Sequence, residues 1–424
     1  MTSLQRLAVR ASAVRQKLWR SAGPLYNLAV REGLGRTFPP ARTQRTSAAR
    51  HARIVGLLST ATGIGQSARL CAEDLGDDGY TVSTFNLSPM LGLDNGVPFE
   101  RGTVAPDARA GLSVFHCNPP LIMLAMLASG VRRYYRSVNV AYWAWELPEL
   151  PPEWLVALRY VDAVMVPSTF CRDIVARHSD KPVIVVPHPV RVVAGVGEEP
   201  PRQSPGQPFR VLTIFNCGSS LFRKNPVGLI DAFKLAFGND SGAELVLKVA
   251  DGRQHKADLA LLRSRIGAAP NIRIVDAYMP PSELDALIRS ADVYASLHRS
   301  EGFGLTVAEA IMREVPVVVT GWSGTTDFCP PELAHTVEHR LVPVEDPHPA
   351  YCSVANAVWA EPSVEAAARH LVDVRNGPAE ARRRAASLRR LLVDHIAANR
   401  YASALDSLRL GRLPAPVAGG GGRP

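Results

Sequence analysis

Short apolar runs alternate with stretches of helical spacing from Arg53 onward. That alternation predicts parallel strands joined by crossover helices, because strands buried on both faces read as continuous apolar runs. In the first half the strands fall at Ile54 to Leu58, Thr81 to Asn86, Ser113 to His116, Val138 to Trp143, Ala163 to Pro167 and Val183 to Pro187. The Pro-, Gly- and Glu-rich stretch from Ala194 to Pro208 then interrupts the pattern and reads as a linker. After it the pattern restarts at Arg210 to Phe215, Glu244 to Val249, Ile272 to Asp276, Val293 to Leu297 and Val315 to Thr320. Two α/β units of similar size joined by one linker imply a cleft between them.

The expected division is a basic arm over 1–50, a first unit over 51–205, a second over 209–385, a C-terminal helix over 386–410 that can pack back on the first unit, and a disordered Gly/Pro-rich tail over 411–424. With 424 residues, 46% hydrophobic and 21% charged, the chain has ample core material and is neither disordered nor disulfide-built. Its net charge of +9 is concentrated in residues 1–50, where ten Arg or Lys face only Glu32, so bases and acids balance in the rest. A neutral body lacks the basic footprint of a nucleic-acid binder. The arm intersperses Leu4, Leu7, Val14, Leu18 and Trp19 with arginines, and reads either as a basic amphipathic helix on an anionic membrane or as a solvated extension. The six cysteines show no zinc-ligand spacing and read as reduced thiols of a cytoplasmic protein. The most apolar stretch, Leu121 to Leu127, is far shorter than the roughly 20 residues that span a bilayer. The N-terminus lacks the apolar core of a cleaved signal peptide.

Ligands of open parallel sheets bind beyond the carboxyl ends of the strands, so residues just after strand runs carry the chemistry. Four places stand out. After the first strand, Gly63 and Gly65 open a helical pattern and read either as a phosphate-approaching loop or as a tight structural turn. The second strand ends without the ribose-binding acid of a dinucleotide site. Another strand ends at His116, followed by Asn118; the histidine reads either as a donor to a cleft hydroxyl or as a satisfied core residue. A third strand leads through Ser219 to Arg223 and Lys224, two cations suited to a diphosphate or simply a solvated pair. The fourth run, HRSEGFGLTVAEA, puts Glu301 in a glycine-containing loop and Glu309 in the first turn of the next helix. Gly302 and Gly304 would aim the amides of Phe303, Gly304 and Leu305 at an anion. Thr306 and Glu309 also fit a capping box, the structural reading of Glu309.

Glu301 and Glu309 in EGFGLTVAE resemble the E-x7-E signature of retaining nucleotide-sugar glycosyltransferases with two Rossmann-like domains, the GT-B architecture. The resemblance covers roughly Arg53 to Leu410, and YWAWELPELPPEW, PSTF and VPHPV look like the subgroup of bacterial surface-polysaccharide synthesis. It implies that Glu309 grips the donor ribose, that Glu301 hydrogen-bonds the transferred hexose, and that the backbone after Gly302, with Ser219 and Thr306 nearby, cradles the diphosphate. Arg223 and Lys224 would offset the leaving-group charge, His116 would touch the sugar, and Gly63 and Gly65 would close over the donor phosphates. Many relatives carry a second arginine where this chain has Gly218. In the aromatic stretch Tyr142 to Trp154, Trp143 reads either as a face on which a sugar ring stacks or as core packing, and Glu146, with Asn118, as a candidate acceptor contact.

On this reading the substrates are a nucleotide-diphosphate sugar and a glycan or lipid-linked acceptor, with no cofactor and no metal, since the chain contains no Asp-x-Asp. The setting implied is the cytoplasm, at the inner face of the plasma membrane if the arm binds lipid. The rivals are a GT-B nucleotide-sugar epimerase or phosphorylase and a catalytically silent binding protein. A glycosidase using Glu301 and Glu309 fits less well, because adjacent anion-binding elements point to a charged leaving group.

Overall fold

The computed structural model describes residues 50–93, 96–99, 111–191 and 206–411, apart from Tyr278, Pro347, Pro349 and Cys352. The basic arm, most of the linker and nearly all of the tail lie outside the described residues. Six parallel strands form the first sheet: β1 (His51–Gly56), β2 (Thr81–Asn86), β3 (Leu112–His116), β4 (Val138–Tyr142), β5 (Ala163–Val166) and β6 (Val183–Val185), in the order β2-β1-β3-β4-β5-β6. A second parallel sheet holds β7 (Phe209–Asn216), β8 (Ala243–Ala250), β9 (Ile272–Asp276), β10 (Val293–Ser296), β11 (Val317–Thr320) and β12 (His335–Val337), ordered β12-β11-β10-β7-β8-β9. An antiparallel hairpin, β13 (His339–Pro343) and β14 (Val358–Pro362), follows.

Strand order reverses between β1 and β3 in the first sheet and between β7 and β10 in the second. Loops leaving two such neighbours diverge and open a crevice at the carboxyl edge. The loops carrying Gly63 and His116 flank one reversal, and those carrying Lys224 and Glu301 flank the other.

The sequence expectation misplaces β1, which runs from His51 to Gly56 rather than from Ile54 to Leu58. Its polar residues find partners on β2: His51 Nε2 lies 3.4 Å from Ser83 Oγ, and the Arg53 guanidinium sits 5.1 Å from the Phe85 ring centroid. Strands β12 to β14 escaped notice because they are short, and the hairpin ends in Pro343 and Pro362.

Side chains of α1 (Gly63–Asp77), α2 (Thr169–Ala176), α3 (Pro226–Phe237), α4 (Leu305–Ile311), α5 (Pro378–Ala398) and α6 (Tyr401–Arg409) cover the sheets. The chain returns to the first sheet at Arg400, not at 386. Leu388 and Leu392 of α5 are buried with Val319 and Phe328 of the second unit, whereas Tyr401, Leu405 and Leu408 of α6 pack on Leu75 and Leu112 of the first. Burying a leucine stabilises by about 1.5–3 kcal/mol, so Leu405 and Leu408 anchor this return. The hairpin also crosses over. Tyr351, Val354, Ala357 and Trp359 join Trp145, Leu147, Leu150 and Trp154 in the first unit's core. Among the described residues, no helix is long and apolar enough to cross a membrane.

Candidate active site

The corner after β7 is stiff. Asn216 accepts from Gly218 N at 2.6 Å, Ser220 sits at φ 69° with its hydroxyl accepting from Arg223 N at 3.1 Å, and Asn225 adopts the left-handed region at φ 49°. Asn225 then caps α3 through Gly228 N, with Pro226 at the first helical position, where its missing N–H costs nothing. Arg223 and Lys224 are thereby fixed just ahead of a helix start.

The loop after β10 is held equally firmly. Glu301 N donates to Ser323 Oγ at 2.9 Å, and Gly324 N donates to Glu301 O at 2.9 Å. A Cβ on Gly324 would lie 2.3 Å from Gly302 O, and one on Gly304, at φ +95°, would lie 2.5 Å from Thr325 Cγ2. Both positions therefore require glycine. The amides of Phe303, Gly304 and Leu305 have no acceptor among the described residues.

Glu301 meets both cations. Its Oε1 lies 2.5 Å from Lys224 Nζ and its Oε2 3.1 Å from Arg223 Nη1. Burial alone would push the Glu301 carboxyl up, but the Lys224 and Arg223 charges win and hold it at about 2. The Arg223 guanidinium, itself only 3% exposed, also donates to Ser300 O at 2.8 Å and Ser219 O at 3.0 Å, and its Nη2 lies 3.7 Å from Glu146 Oε1.

The first unit closes over this loop. Ser168 at the start of α2 donates to Gly302 O at 2.6 Å, Thr169 N donates to Asp327 Oδ2 at 2.7 Å, and the Ser300 hydroxyl donates to Glu146 O. From α1, Gln66 Nε2 donates to Glu309 Oε1 at 2.9 Å. Glycine-loop helix, cation corner and acidic loop therefore line one interface between the two sheets.

The profile of the GT4-conflict family, described as "Family 4 Glycosyltransferase in conflict systems", matches residues 170–405. The chain belongs to this family. Solved structures share its GT-B fold at low identity. Sucrose-phosphate synthase from Thermosynechococcus elongatus is 15% identical over 85% of this chain and 98% of that one, with a TM-score of 0.58. HepE from Anabaena in complex with UDP is 14% identical over 84% and 100%, at 0.55. A point mutant of TarM from S. aureus, in complex with fondaparinux, alpha-GlcNAc-glycerol and UDP, is 12% identical over 72% of this chain, at 0.51. The chain spans only 55% of the TarM length. No curated protein matches the sequence significantly.

In this family 4 glycosyltransferase several expected side chains take other positions. Arg223 is not an exposed diphosphate clamp, because it is buried and its two terminal nitrogens already face two carbonyls and two carboxylates. His116 is fully buried: its ring stacks on Tyr142 at 4.2 Å, and its Nε2 lies 3.4 Å from Ser67 Oγ and 3.3 Å from the Tyr401 hydroxyl. It faces the returning helix α6 rather than open cleft. Trp143 is 1% exposed and packs edge-on against Trp154, so it offers no face to a sugar. Glu146 turns toward Arg223 instead of an acceptor, and Asn118 accepts from Ala144 N at 3.3 Å. Gly65 is demanded by the turn, since a Cβ there would lie 2.2 Å from Thr60 Oγ1, whereas Gly63 is open to solvent. The capping box is absent: Gly304 is the N-cap of α4, Thr306 lies inside the helix with its hydroxyl accepting from Tyr294 at 2.7 Å, and Glu309 falls in the second turn. Phe303 packs on His188 and Phe328. Gly302 presents its carbonyl to Ser168, Leu305 opens α4, and Ser219 contributes its carbonyl to Arg223.

Sequence reasoning missed Gln66, Ser168, Asp327 and His188. Gln66 stood inside the glycine loop already singled out, and Ser168 and His188 within PSTF and VPHPV. His188 Nδ1 lies 2.8 Å from Ser67 Oγ, and burial holds it neutral, at about 3. His298, at about 4 through burial, supports the loop from behind through Ser296 and Thr325.

Proposed function

We propose that the chain transfers a hexose from a nucleotide-diphosphate sugar to a hydroxyl of a glycan or lipid-linked acceptor, with retention of anomeric configuration. The observation that carries this reading is the contact of Lys224 and Arg223 with Glu301, eight positions before Glu309, beneath the helix that follows Gly63. Two neighbours on the same fold, HepE and TarM, were solved with UDP, which supports a nucleoside diphosphate as the leaving group.

As the glycosidic bond breaks, negative charge grows on the departing phosphate, and fixed positive groups there lower the barrier. Lys224 is suited to that task, and the amides of Phe303, Gly304 and Leu305, which have no acceptor among the described residues, follow Glu301 in the same loop. Arg223 acts from beneath by holding Glu301 in place. Glu301 then receives sugar hydroxyls, Glu309 receives the ribose diol, and the leaving phosphate takes the acceptor proton. Neutralisation by side chains and amides requires no metal in this scheme. Enclosure by the first unit keeps water from the oxocarbenium-like carbon.

The acceptor reading has two forms. The sequence motifs favour surface-polysaccharide assembly at the cytoplasmic membrane face, whereas the family's description favours an acceptor encountered in a conflict system. Incubation with UDP-, GDP- and ADP-sugars tests the donor half: sugar release or transfer with nucleoside diphosphate as product is expected. Isomerisation of the sugar, or no binding of any donor, would overturn it.

A further inference from the structure

We infer that Gln66 is a specificity residue of the donor site, completing across the domain interface a reader for the ribose diol whose other half is Glu309. The inference rests on the nucleotide-sugar reading above and adds to it a residue from the opposite unit.

Glu309 is poorly supplied with donors for a carboxylate. Burial raises its pKa, and Gln66 Nε2 at 2.9 Å is its only hydrogen-bond donor among the described residues. The nearby Arg313 does not serve it: its guanidinium is committed to Asp285 at 2.6–2.7 Å and to the Glu309 main-chain carbonyl at 2.7 Å. Glu309 Oε2 and Gln66 Oε1 both lack a donor among the described residues. A carboxylate accepts about four hydrogen bonds, and an amide oxygen two. The pair thus sets two unfilled acceptors side by side, with a second amide hydrogen on Nε2 as donor. A vicinal diol has the complementary inventory, two hydroxyls that each donate and accept.

Position supports the assignment. Gln66 is the fourth residue of α1, the helix that opens at Gly63, and its backbone is fixed by a 2.9 Å bond from its N to Thr62 O. Glu309 is fixed through Arg313 and the buried Asp285. Neither side chain has to search for the other. Because Gln66 is neutral, it contacts Glu309 without neutralising it, leaving the carboxylate charge for the hydroxyls. A residue that only joined the two units would raise or lower the affinity of every nucleotide alike. A reader of the diol penalises the analogue that lacks a hydroxyl, because the bound ligand then covers an acceptor without filling it.

The test uses the full chain and its Gln66→Ala and Gln66→Met variants, the second keeping the side-chain volume. UDP, GDP and ADP are titrated calorimetrically, and the tightest is compared with its 2′-deoxy counterpart. The wild type should prefer the ribonucleotide by about tenfold or more, and both variants should narrow that preference to about threefold or less. A ratio unchanged in folded variants, or a wild type that does not discriminate, overturns the role of Gln66 while leaving the donor reading intact. Failure of every nucleotide to bind the wild type overturns both.

Discussion

Lys224 and Glu301, from loops that leave neighbouring strands of the second sheet, meet with Nζ 2.5 Å from Oε1. With Arg223 beneath them and Glu146 reaching in from the first unit, the corner balances two cations against two carboxylates. On the proposed reading, an arriving diphosphate would compete with Glu301 for Lys224 and free the carboxylate for the sugar.

Replacing Lys224 with Ala should weaken nucleoside diphosphate binding by about tenfold or more, the scale of one lost charge-assisted hydrogen bond. Isothermal titration with UDP, GDP and ADP measures it. An unaltered Kd would place the diphosphate elsewhere.

Glu301→Gln preserves shape and removes charge. Turnover should drop by at least about tenfold, and unfolding should become easier by roughly 1–3 kcal/mol, since Lys224 loses its counter-ion and Arg223 keeps only the more distant Glu146. Transfer assays and denaturant melts report the two effects, and a variant with full activity would remove Glu301 from the reaction.

Arg223→Lys retains the charge but loses the planar fork that serves Ser219 O and Ser300 O together. We expect a stability loss of about 1–3 kcal/mol by urea unfolding. A variant as stable as the parent would show that the fork is dispensable.

Acid should destabilise the protein well before carboxylates protonate. Burial holds His188 at about 3 and His298 at about 4, and puts His116 well below the usual range. Unfolded histidines titrate near about 6.5, so the unfolded chain binds more protons below that pH. Their contribution is fully present above about pH 6.5 and is lost as the pH falls toward the folded values. Glu301, at about 2 against an ordinary 4.5, adds a loss of the same sign below about pH 4.5. Melting temperatures should decline from about pH 6.5 downward, less steeply in His188→Asn. A flat profile to about pH 5 would contradict the neutral buried imidazoles.

Much of this architecture was legible in the chain. Short β-branched apolar runs such as Ala163–Val166 and Val317–Thr320 read as strands buried on both faces, being too short for helices, and they located both sheets. The glycines of EGFG and the adjacent Arg223 and Lys224, each following a strand run, marked the corner, because such positions suit an anion. What stayed hidden were side-chain directions across long sequence separations. Nothing around Arg223 announces that Glu146 and Ser300 will consume its fork, and nothing around His116 announces Tyr401. The false capping box shows the limit of local pattern: Gly304 claimed the helix start because Thr325 crowds it, and Thr306 went to Tyr294.

The hairpin that lodges Tyr351 and Trp359 among the tryptophans of the first unit bears on how such a chain can be rebuilt. Halves of this molecule are not interchangeable modules. A chimera that took its first unit from another protein of this fold would expose those aromatics unless it imported the matching socket.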